Sequence, residues 1–183
     1  TVAGSSWNWI SGMFGSAIYF GGGDQVAVPN SASLNPVQGI TVSAWVNADN
    51  WFNTPRILEK GKSNNQYALF ANESAGQLVF AVYGVTNGTV TTTLPSEGTW
   101  HQISGTYDGS LISLYVDGQV VTQRTAIGQM PITTDPLAIG FRPGANLNYN
   151  FSGIIDDVRI YGSALSSNQI AQLYVPAPPA DLT

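Results

Sequence analysis

Cysteine is absent from the 183-residue chain, and histidine occurs once. Without cysteine the chain can form no disulfide and no thiolate-bound metal site, so the core must be stable through packing alone. The lone histidine, His101, has no cysteine or recognisable serine partner in the sequence, and we interpret it as a structural residue. Long apolar runs are missing too. No segment approaches the roughly 20 residues of a membrane-spanning helix, so we expect no membrane insertion.

Charged residues make up only 9% of the chain, against about 25% in ordinary globular proteins. Six Lys+Arg residues stand against eleven Asp+Glu, which gives a net charge of −5. A chain with so few basic residues cannot offset many phosphates, so we expect no nucleic-acid partner. The polar surface must come from uncharged side chains, a composition typical of secreted proteins that meet neutral polymers. We therefore expect a secreted or cell-surface location.

The chain is rich in short alternating apolar runs that are separated by turns. In the clearest case, residues 100–118, two such runs flank an Asp-Gly turn and a second Asp-Gly turn follows. This pattern predicts consecutive antiparallel hairpins. About a dozen runs of this kind predict an all-β fold, a two-sheet antiparallel jelly roll sandwich with one helix at residues 163–174. We expect the domain to span residues 1–175 and a Pro-rich linker or tail to follow at 176–183.

Four sequence blocks resemble, in order, the laminin-G-like branch of the concanavalin A-like jelly rolls. They lie within residues 15–174 and read GSAIYFGGGDQVAVP, ITVSAWVNAD, TWHQISGTYDGSLISLYVDGQVV and FSGIIDDVRIYGSALSSNQI. The resemblance implies a carbohydrate-binding or adhesion module of a secreted multidomain protein, often with a structural calcium ion. It also implies a further strand before the segment that starts at Thr1, supplied by preceding residues or by another protein chain.

A cation site is the first candidate for chemistry. Asp24 follows three glycines, and Asp156 begins an Asp-Asp pair in the last predicted strand. Calcium takes six to eight oxygen ligands, so the Gly22 carbonyl and the two carboxylates could share one Ca²⁺ ion. Asp156 also matches the aspartate that binds calcium in the family, and alternation predicts that it faces the core beside Ile154. The alternative is that Asp24 caps a turn and Asp156 accepts backbone N–H bonds.

Aromatic residues in loops and at strand ends are the second candidate. Sugar rings stack on flat aromatic rings while polar neighbours bind their hydroxyl groups. Six residues could form such a carbohydrate-binding surface: Trp51, Phe52, Tyr83, Arg142, Asn148 and Tyr149. The alternative is that these aromatic side chains cover the rim of the sandwich core. We expect Trp45 and Trp100, in regular strands, to be packing residues.

Catalytic machinery is not evident in the sequence. Retaining glycosidases need two carboxylates about 5–5.5 Å apart, and related jelly roll glucanases carry them as E-x-D-x-x-E, a string that this chain lacks. We therefore expect a protein that is not an enzyme: a carbohydrate-binding module with a structural calcium ion and a polysaccharide or glycan partner. Two alternatives stay open: a structural or adhesion domain that binds protein or no ligand, and a polysaccharide hydrolase or lyase.

Overall fold

The computed structural model describes residues 1–62 and 65–175. These residues form sixteen β-strands, three single-turn 3-10 helices and one α-helix. In chain order the strands are β1 (Val2–Ala3), β2 (Asn8–Ser11), β3 (Ser16–Gly21), β4 (Gln25–Val28), β5 (Ile40–Asn50), β6 (Arg56–Lys60), β7 (Tyr67–Asn72), β8 (Gln77–Val82), β9 (Val85–Thr86), β10 (Thr89–Thr93), β11 (His101–Tyr107), β12 (Leu111–Val116), β13 (Gln119–Thr125), β14 (Ile127–Gly128), β15 (Leu137–Ile139) and β16 (Ser152–Tyr161). The 3-10 helices are Ala32–Leu34, Glu73–Ala75 and Leu147–Tyr149, and α1 is Ser167–Leu173.

Two seven-stranded antiparallel sheets form the body of the molecule. Sheet 1 has the strand order β1-β4-β15-β6-β7-β8-β10, and sheet 2 has the order β13-β12-β11-β5-β16-β3-β2. Strands β9 and β14 form a small ribbon of their own. Neighbouring strands in sheet 2 include pairs far apart in sequence, such as β5 with β16. The predicted all-β jelly roll with one C-terminal helix is confirmed.

The hairpin at residues 100–118 forms part of sheet 2. Strand β11 pairs with β12 on one side and with β5 on the other. The Asp108 carboxylate accepts the N–H groups of Ser110 and Leu111, at 2.8 and 2.7 Å, which closes the turn between β11 and β12. Asp117 takes a left-handed φ of 52° in the next turn. The hairpin prediction is therefore confirmed, and the pair forms a central part of the sheet.

The helix is shorter than the predicted span of residues 163–174. Ser166 and Gln169 form a capping box: the Gln169 N–H donates to Ser166 Oγ, and the Ser166 N–H donates to Gln169 Oε1. A capping residue must have a non-helical backbone, so α1 cannot begin before Ser167. The preceding segment is tied to β5 instead, because Thr41 Oγ1 donates to the Ser163 carbonyl and accepts the Leu165 N–H.

A β-bulge in β16 moves Asp156 off the core face. Asp156 lies opposite Trp45, whereas Ile155 and Ile160 lie opposite the core residues of β5. The register shifts between Asp156 and Arg159, where Asp157 takes a φ of 47°. The prediction that Asp156 faces the core was wrong, because strict alternation takes no account of the extra residue in the bulge.

The C-terminal end of the domain stays a prediction, because the expected tail at residues 176–183 lies outside the described residues. Among the residues described, no helix has both the length and the apolar character to cross a membrane.

The core lies between the two sheets and is close-packed where β11 meets β8. The Phe80 ring of sheet 1 lies against Gly105 of sheet 2, and a Cβ built on Gly105 would be 2.3 Å from Phe80 Cγ. Both residues are buried, and their immediate neighbours belong to the common hydrophobic core. The two sheets can therefore approach this closely only because Gly105 has no side chain.

Gly105→Ala is expected to destabilise the fold by about 1–3 kcal/mol, because the added methyl group overpacks the core. A chain of this size should then lose roughly 2–4 °C of Tm for each kcal/mol, measured by thermal unfolding. Gly162→Ala is the matched control, since a Cβ at Gly162 meets nothing within 4 Å. Phe80→Leu in the same chain should recover part of the loss. Equal melting temperatures for the two alanine variants would refute this account.

Candidate functional site

The outer face of sheet 1 carries a buried ion pair. Arg56 Nε donates to Glu59 Oε2 at 2.7 Å, and the two side chains are 3% and 0% exposed. Residues three apart in a regular strand point to opposite faces. A register shift between Arg56 and Leu58 places Ile57 and Leu58 in the core and turns Arg56 outward, opposite Phe70. The bulge therefore brings Arg56 and Glu59 to the same face.

The loop at residues 140–151 brings a second guanidinium to Glu59. Arg142 Nε lies 3.5 Å from Glu59 Oε1, and the Arg142 side chain is 15% exposed. The loop is closed by a hydrogen bond from the Phe151 N–H to the Gly140 carbonyl at 2.8 Å. The 3-10 helix Leu147–Tyr149 then presents Tyr149 to both arginines. Glu59 is thus shared by two guanidiniums that come from distant parts of the chain.

Aromatic rings flank these guanidiniums. Arg56 Cζ lies 3.9 Å from the centroid of the Phe70 ring and 5.2 Å from that of Tyr149, and Arg142 Cζ lies 5.0 Å from Tyr149. Such distances are within the range of cation–π attraction. We name the set the Glu59 cluster; its members are Arg56, Glu59, Phe70, Tyr83, Arg142 and Tyr149.

Burial changes the proton affinities in the cluster. Burial and the nearby Glu59 carboxylate, opposed by the two arginines, together raise the pKa of Tyr83 to about 12. Burial also lowers the pKa of Arg56 below its ordinary value, an effect that the Glu59 carboxylate counteracts. A guanidinium still stays protonated at physiological pH. The cluster therefore holds two cations, one carboxylate and a neutral phenol.

A polar cleft adjoins the cluster at Tyr149. It has a volume of about 260 Å³. The Asn148 carbonyl accepts the Thr54 N–H at 3.2 Å, and Glu73 Oε2 accepts the Asn53 N–H at 3.0 Å, so the loop that contains Asn53 and Thr54 is tied to the 140–151 loop and to the 3-10 helix Glu73–Ala75. We name it the rim cleft; its lining residues are Asn53, Thr54, Glu73, Ser74, Asn146, Asn148 and Tyr149.

The structure brings together four of the six residues predicted for carbohydrate binding. Tyr83, Arg142 and Tyr149 are in the Glu59 cluster, and Asn148 and Tyr149 line the rim cleft. Phe52 is 65% exposed in the loop that also supplies Asn53 to the cleft.

Trp51 does not belong to this surface. Its side chain is 3% exposed, its Nε1 donates to the Pro95 carbonyl at 2.9 Å, and its ring packs edge-on against Phe151. The prediction that Trp51 stacks on sugar was wrong, because the indole covers the end of the core and its one polar atom is satisfied there. Trp45, expected to be a packing residue, is buried as predicted and stacks on Tyr174.

The two predicted metal-binding aspartates lie apart. The Asp24 carboxylate accepts the N–H groups of Ser6 and Gly21, at 3.1 and 2.7 Å. The Asp156 carboxylate accepts those of Phe14 and Asp157, at 2.9 and 2.7 Å.

The sheet register fixes how far apart they are. Gly21 lies opposite Ser152, so Asp156 is four residues further along β16, roughly 13 Å at about 3.3 Å per residue. One calcium ion cannot contact both carboxylates, because each ligand oxygen lies about 2.3–2.6 Å from the ion. No group of three or more potential ligand side chains (His, Cys, Asp or Glu) occurs among the described residues. The predicted set of Asp24, Gly22 and Asp156 therefore does not form one site in this structure.

His101 has partners that the sequence did not reveal. Its Nδ1 lies 2.9 Å from Asp117 Oδ2, and its Nε2 lies 2.9 Å from Ser96 Oγ and 3.1 Å from Thr99 Oγ1. The expectation that His101 lacks a serine partner was wrong, because Ser96 contacts its ring. The three side chains follow the order Asp–His–Ser, as in a catalytic triad. Two hydroxyl groups share one ring nitrogen, however, and they lie 2.6 Å from each other. This chain of hydrogen bonds links the loop before β11 to the turn after β12, which is a structural role.

Sequence reasoning missed Arg56, Glu59 and Phe70. The signal that could have found them is the strand Arg56–Lys60, which carries three charged residues in five positions, in a chain with few charges. All five residues are buried. Charges inside a central strand need partners, and Arg142 is one of few candidates in such a chain.

Tyr83→Phe is expected to make the protein less sensitive to alkali. A folded-state pKa of about 12 against an ordinary 10.0 means that Tyr83 stabilises the fold below pH 10 and that this contribution is lost as the pH rises towards 12. Between these limits the free energy of unfolding of the wild type should fall by about 1–2 kcal/mol more than that of the variant. Denaturant unfolding at each pH measures the difference. Tyr174→Phe, at an exposed tyrosine of the C-terminal segment, is the control. Parallel curves for wild type and Tyr83→Phe would contradict the expectation.

Comparison with known proteins agrees with this fold. A family model described as the concanavalin A-like lectin/glucanases superfamily, of laminin-G type, matches residues 20–171. No curated protein sequence matches the chain.

Solved structures of similar fold include a domain of an arabinanase, the binding domain of a mosquitocidal protein and a pentraxin. Domain 4 of AbnA, a GH43 extracellular arabinanase from Geobacillus stearothermophilus in complex with arabinotriose, has a TM-score of 0.70 and 18% identity, with 96% of this chain and 87% of that chain covered. The binding domain of Paraclostridial Mosquitocidal Protein 1 has a TM-score of 0.75 and 16% identity, with 95% and 47% covered. The SAP-like pentraxin of Limulus polyphemus has a TM-score of 0.63 and 18% identity, with 82% and 81% covered.

The chain spans about half the length of the mosquitocidal binding domain. Identities this low show a shared fold, whereas the family model covers most of the chain. The chain belongs to the concanavalin A-like lectin/glucanases superfamily, as a domain of laminin-G type.

Proposed function

We propose that this domain is a non-catalytic carbohydrate-binding module of a secreted protein and that sugar binds across the Glu59 cluster and the rim cleft. The observation that carries the proposal is the position of Tyr149. Its ring lies about 5 Å from two guanidiniums and also lines a cleft whose other residues are all polar. An aromatic ring beside a dense set of hydrogen-bonding groups suits a sugar, which has C–H faces and a rim of hydroxyl groups.

The rim cleft offers both donors and acceptors. Asparagine amides supply both, the hydroxyl groups of Thr54 and Ser74 can do either, and Glu73 accepts. The likeness to an arabinanase domain that was solved with arabinotriose supports this choice of ligand class.

The carboxylate at the centre of the cluster supports a binding role. Glycoside hydrolysis needs a carboxyl group in contact with the glycosidic oxygen and a second one nearby. Glu59 is 0% exposed beneath Arg56 and Arg142, so it cannot reach a sugar bound on this face. Its geometry is that of a structural anchor for the guanidiniums.

Tyr149→Ala is expected to weaken binding of an oligosaccharide ligand by roughly fivefold to thirtyfold. The variant loses an aromatic contact of about 1–2 kcal/mol, and each 1.4 kcal/mol is a factor of ten. The ligand is first identified on a polysaccharide panel that includes arabinan, and calorimetry then measures Kd. Trp9→Ala is the matched control, because Trp9 is a 61% exposed aromatic residue on β2 of sheet 2.

A loss of binding in Trp9→Ala but not in Tyr149→Ala would place the ligand elsewhere. If the wild type binds no polysaccharide of the panel, the carbohydrate-binding proposal is refuted and a structural or adhesion domain is favoured. Turnover of any polysaccharide would refute the non-catalytic part of the proposal.

The structural calcium ion stays a proposal, and one ion can take only one of the two aspartates. An ion that binds only the native state must raise its melting temperature, so calcium should raise Tm and EDTA should lower it. Asp24→Asn and Asp156→Asn, measured with calcium and with EDTA, show which carboxylate takes part: the variant at the ligand loses the response to calcium. If neither calcium nor EDTA changes the Tm, the proposal of a structural calcium ion is refuted. Both carboxylates then act only as acceptors of backbone N–H groups.

A further inference from the structure

The rim cleft contains one charged side chain, that of Glu73. The other residues that line it are asparagines, a threonine, a serine and Tyr149, and no lysine or arginine is among the described residues of the lining. Glu73 lies at the surface, in the 3-10 helix Glu73–Ala75. A ligand that enters the cleft therefore meets one carboxylate among uncharged polar groups.

Two hydrogen bonds fix the position of Glu73. Its Oε2 accepts the Asn53 N–H at 3.0 Å, and its own backbone N–H donates to the Asn53 carbonyl, also at 3.0 Å. Asn53 takes a left-handed φ of 65°, a conformation that is uncommon outside glycine and persists where the surroundings hold it. The carboxylate is thus fixed relative to the loop that supplies Asn53 and Thr54 to the cleft.

The Glu73 carboxylate keeps acceptor capacity for a ligand. Among the described residues its hydrogen-bond partner is the Asn53 N–H, which occupies Oε2. An ionised carboxylate has about four acceptor sites on its two oxygens and donates nothing. Hydrogen bonds to a charged acceptor are stronger than those between neutral groups. Glu73 is therefore suited to accept a hydroxyl group of a sugar.

We propose that Glu73 makes the site selective for neutral sugars: it accepts a hydroxyl group of the bound sugar and repels sugars that carry an acidic group. This inference rests on the proposed carbohydrate-binding function and specifies its ligand class. A second anion beside a fixed carboxylate is disfavoured by like-charge repulsion, and such repulsion is a common source of specificity.

The arginines beside Tyr149 do not reverse this selection. Arg56 is buried and donates to Glu59 at 2.7 Å, and Arg142 Nε lies 3.5 Å from the same carboxylate. With Glu73 in the adjoining cleft, the charges of two guanidiniums and two carboxylates cancel around Tyr149. An acidic sugar therefore gains no net positive charge here.

The test compares trigalacturonate with its carboxyl-reduced counterpart, which differs only in the carboxylates, and includes arabinotriose as a second neutral sugar. Calorimetry with the whole chain should show that the neutral member of the pair binds at least about fivefold tighter. Added NaCl screens the repulsion, so the affinity for trigalacturonate should rise with salt while the affinity for the neutral sugars should not change. This salt dependence needs no variant.

Glu73→Gln should change the two kinds of affinity in opposite directions. Glutamine can still accept the Asn53 N–H through its amide oxygen, so the contact with the loop is kept. The affinity for the neutral sugars should fall about fivefold, because a neutral acceptor replaces a charged one. The affinity for trigalacturonate should rise about fivefold and lose most of its dependence on salt. A folding defect would instead lower both.

Glu97→Gln is the matched control. Glu97 Oε1 accepts the Trp51 N–H at 3.1 Å, so this glutamate contacts the same loop through the same kind of hydrogen bond, outside the described lining of the cleft. The variant removes one negative charge from the chain, as Glu73→Gln does. It should leave all three affinities within about twofold of the wild type.

Failure of this inference is distinguishable from failure of the proposed function. If trigalacturonate binds as tightly as its reduced counterpart or tighter, selection for neutral sugars is overturned and carbohydrate binding stands. A preference for acidic polysaccharides on the panel, or neutral-sugar affinities unchanged in Glu73→Gln, would have the same meaning. Absence of binding to all three probes and to the whole polysaccharide panel would overturn both proposals.

Discussion

The fully buried carboxylate of Glu59 is the constraint on which the outer face of sheet 1 depends. Removing a carboxylate from water costs several kcal/mol unless close partners compensate. Arg56 supplies one partner at 2.7 Å, and Arg142 supplies another at 3.5 Å from a loop more than 80 residues later in the chain. Loss of either arginine leaves the carboxylate with incomplete compensation. The interaction therefore fixes the 140–151 loop to the sheet, and with it the position of Tyr149.

The bulge in β6 makes this arrangement possible. In a regular strand one of Arg56 and Glu59 would point into the hydrophobic core, where no described partner would meet it. With the bulge, Ile57 and Leu58 both pack inward and both charges face out. The bulge in β16 has a similar effect, because it releases Asp156 to the outer face of sheet 2 while Ile155 and Ile160 stay in the core. Each of these two bulges brings a charged residue to an outer face.

Alternation was enough to predict the fold and was not enough to predict the site. The sequence of strand Ile40–Asn50 alternates because Ile40, Val42, Ala44 and Val46 pack on the core, so the sequence contains the same information as the packing. A bulge leaves no such pattern in the sequence. Sequence reasoning therefore missed Arg56 and placed Asp156 on the wrong face of its strand. Loop aromatics pose a different problem. Trp51 and Tyr149 look alike in sequence, yet only the closure of the loops decides that the indole is buried against Phe151 while the phenol meets two arginines.

The strongest sequence pattern and the proposed site lie in different sheets, and this separation has a physical reason. The hairpin of β11 and β12 packs against sheet 1 through contacts such as Gly105 with Phe80, which tolerate almost no change in volume. Those contacts hold the inner face of sheet 1 rigid, and a rigid inner face keeps the strand positions on the outer face fixed. Polar groups that must hold a sugar need such a support, because hydrogen bonds weaken steeply with small displacements. The core can therefore stay the same while the outer face of sheet 1 and its loops determine which ligand is bound.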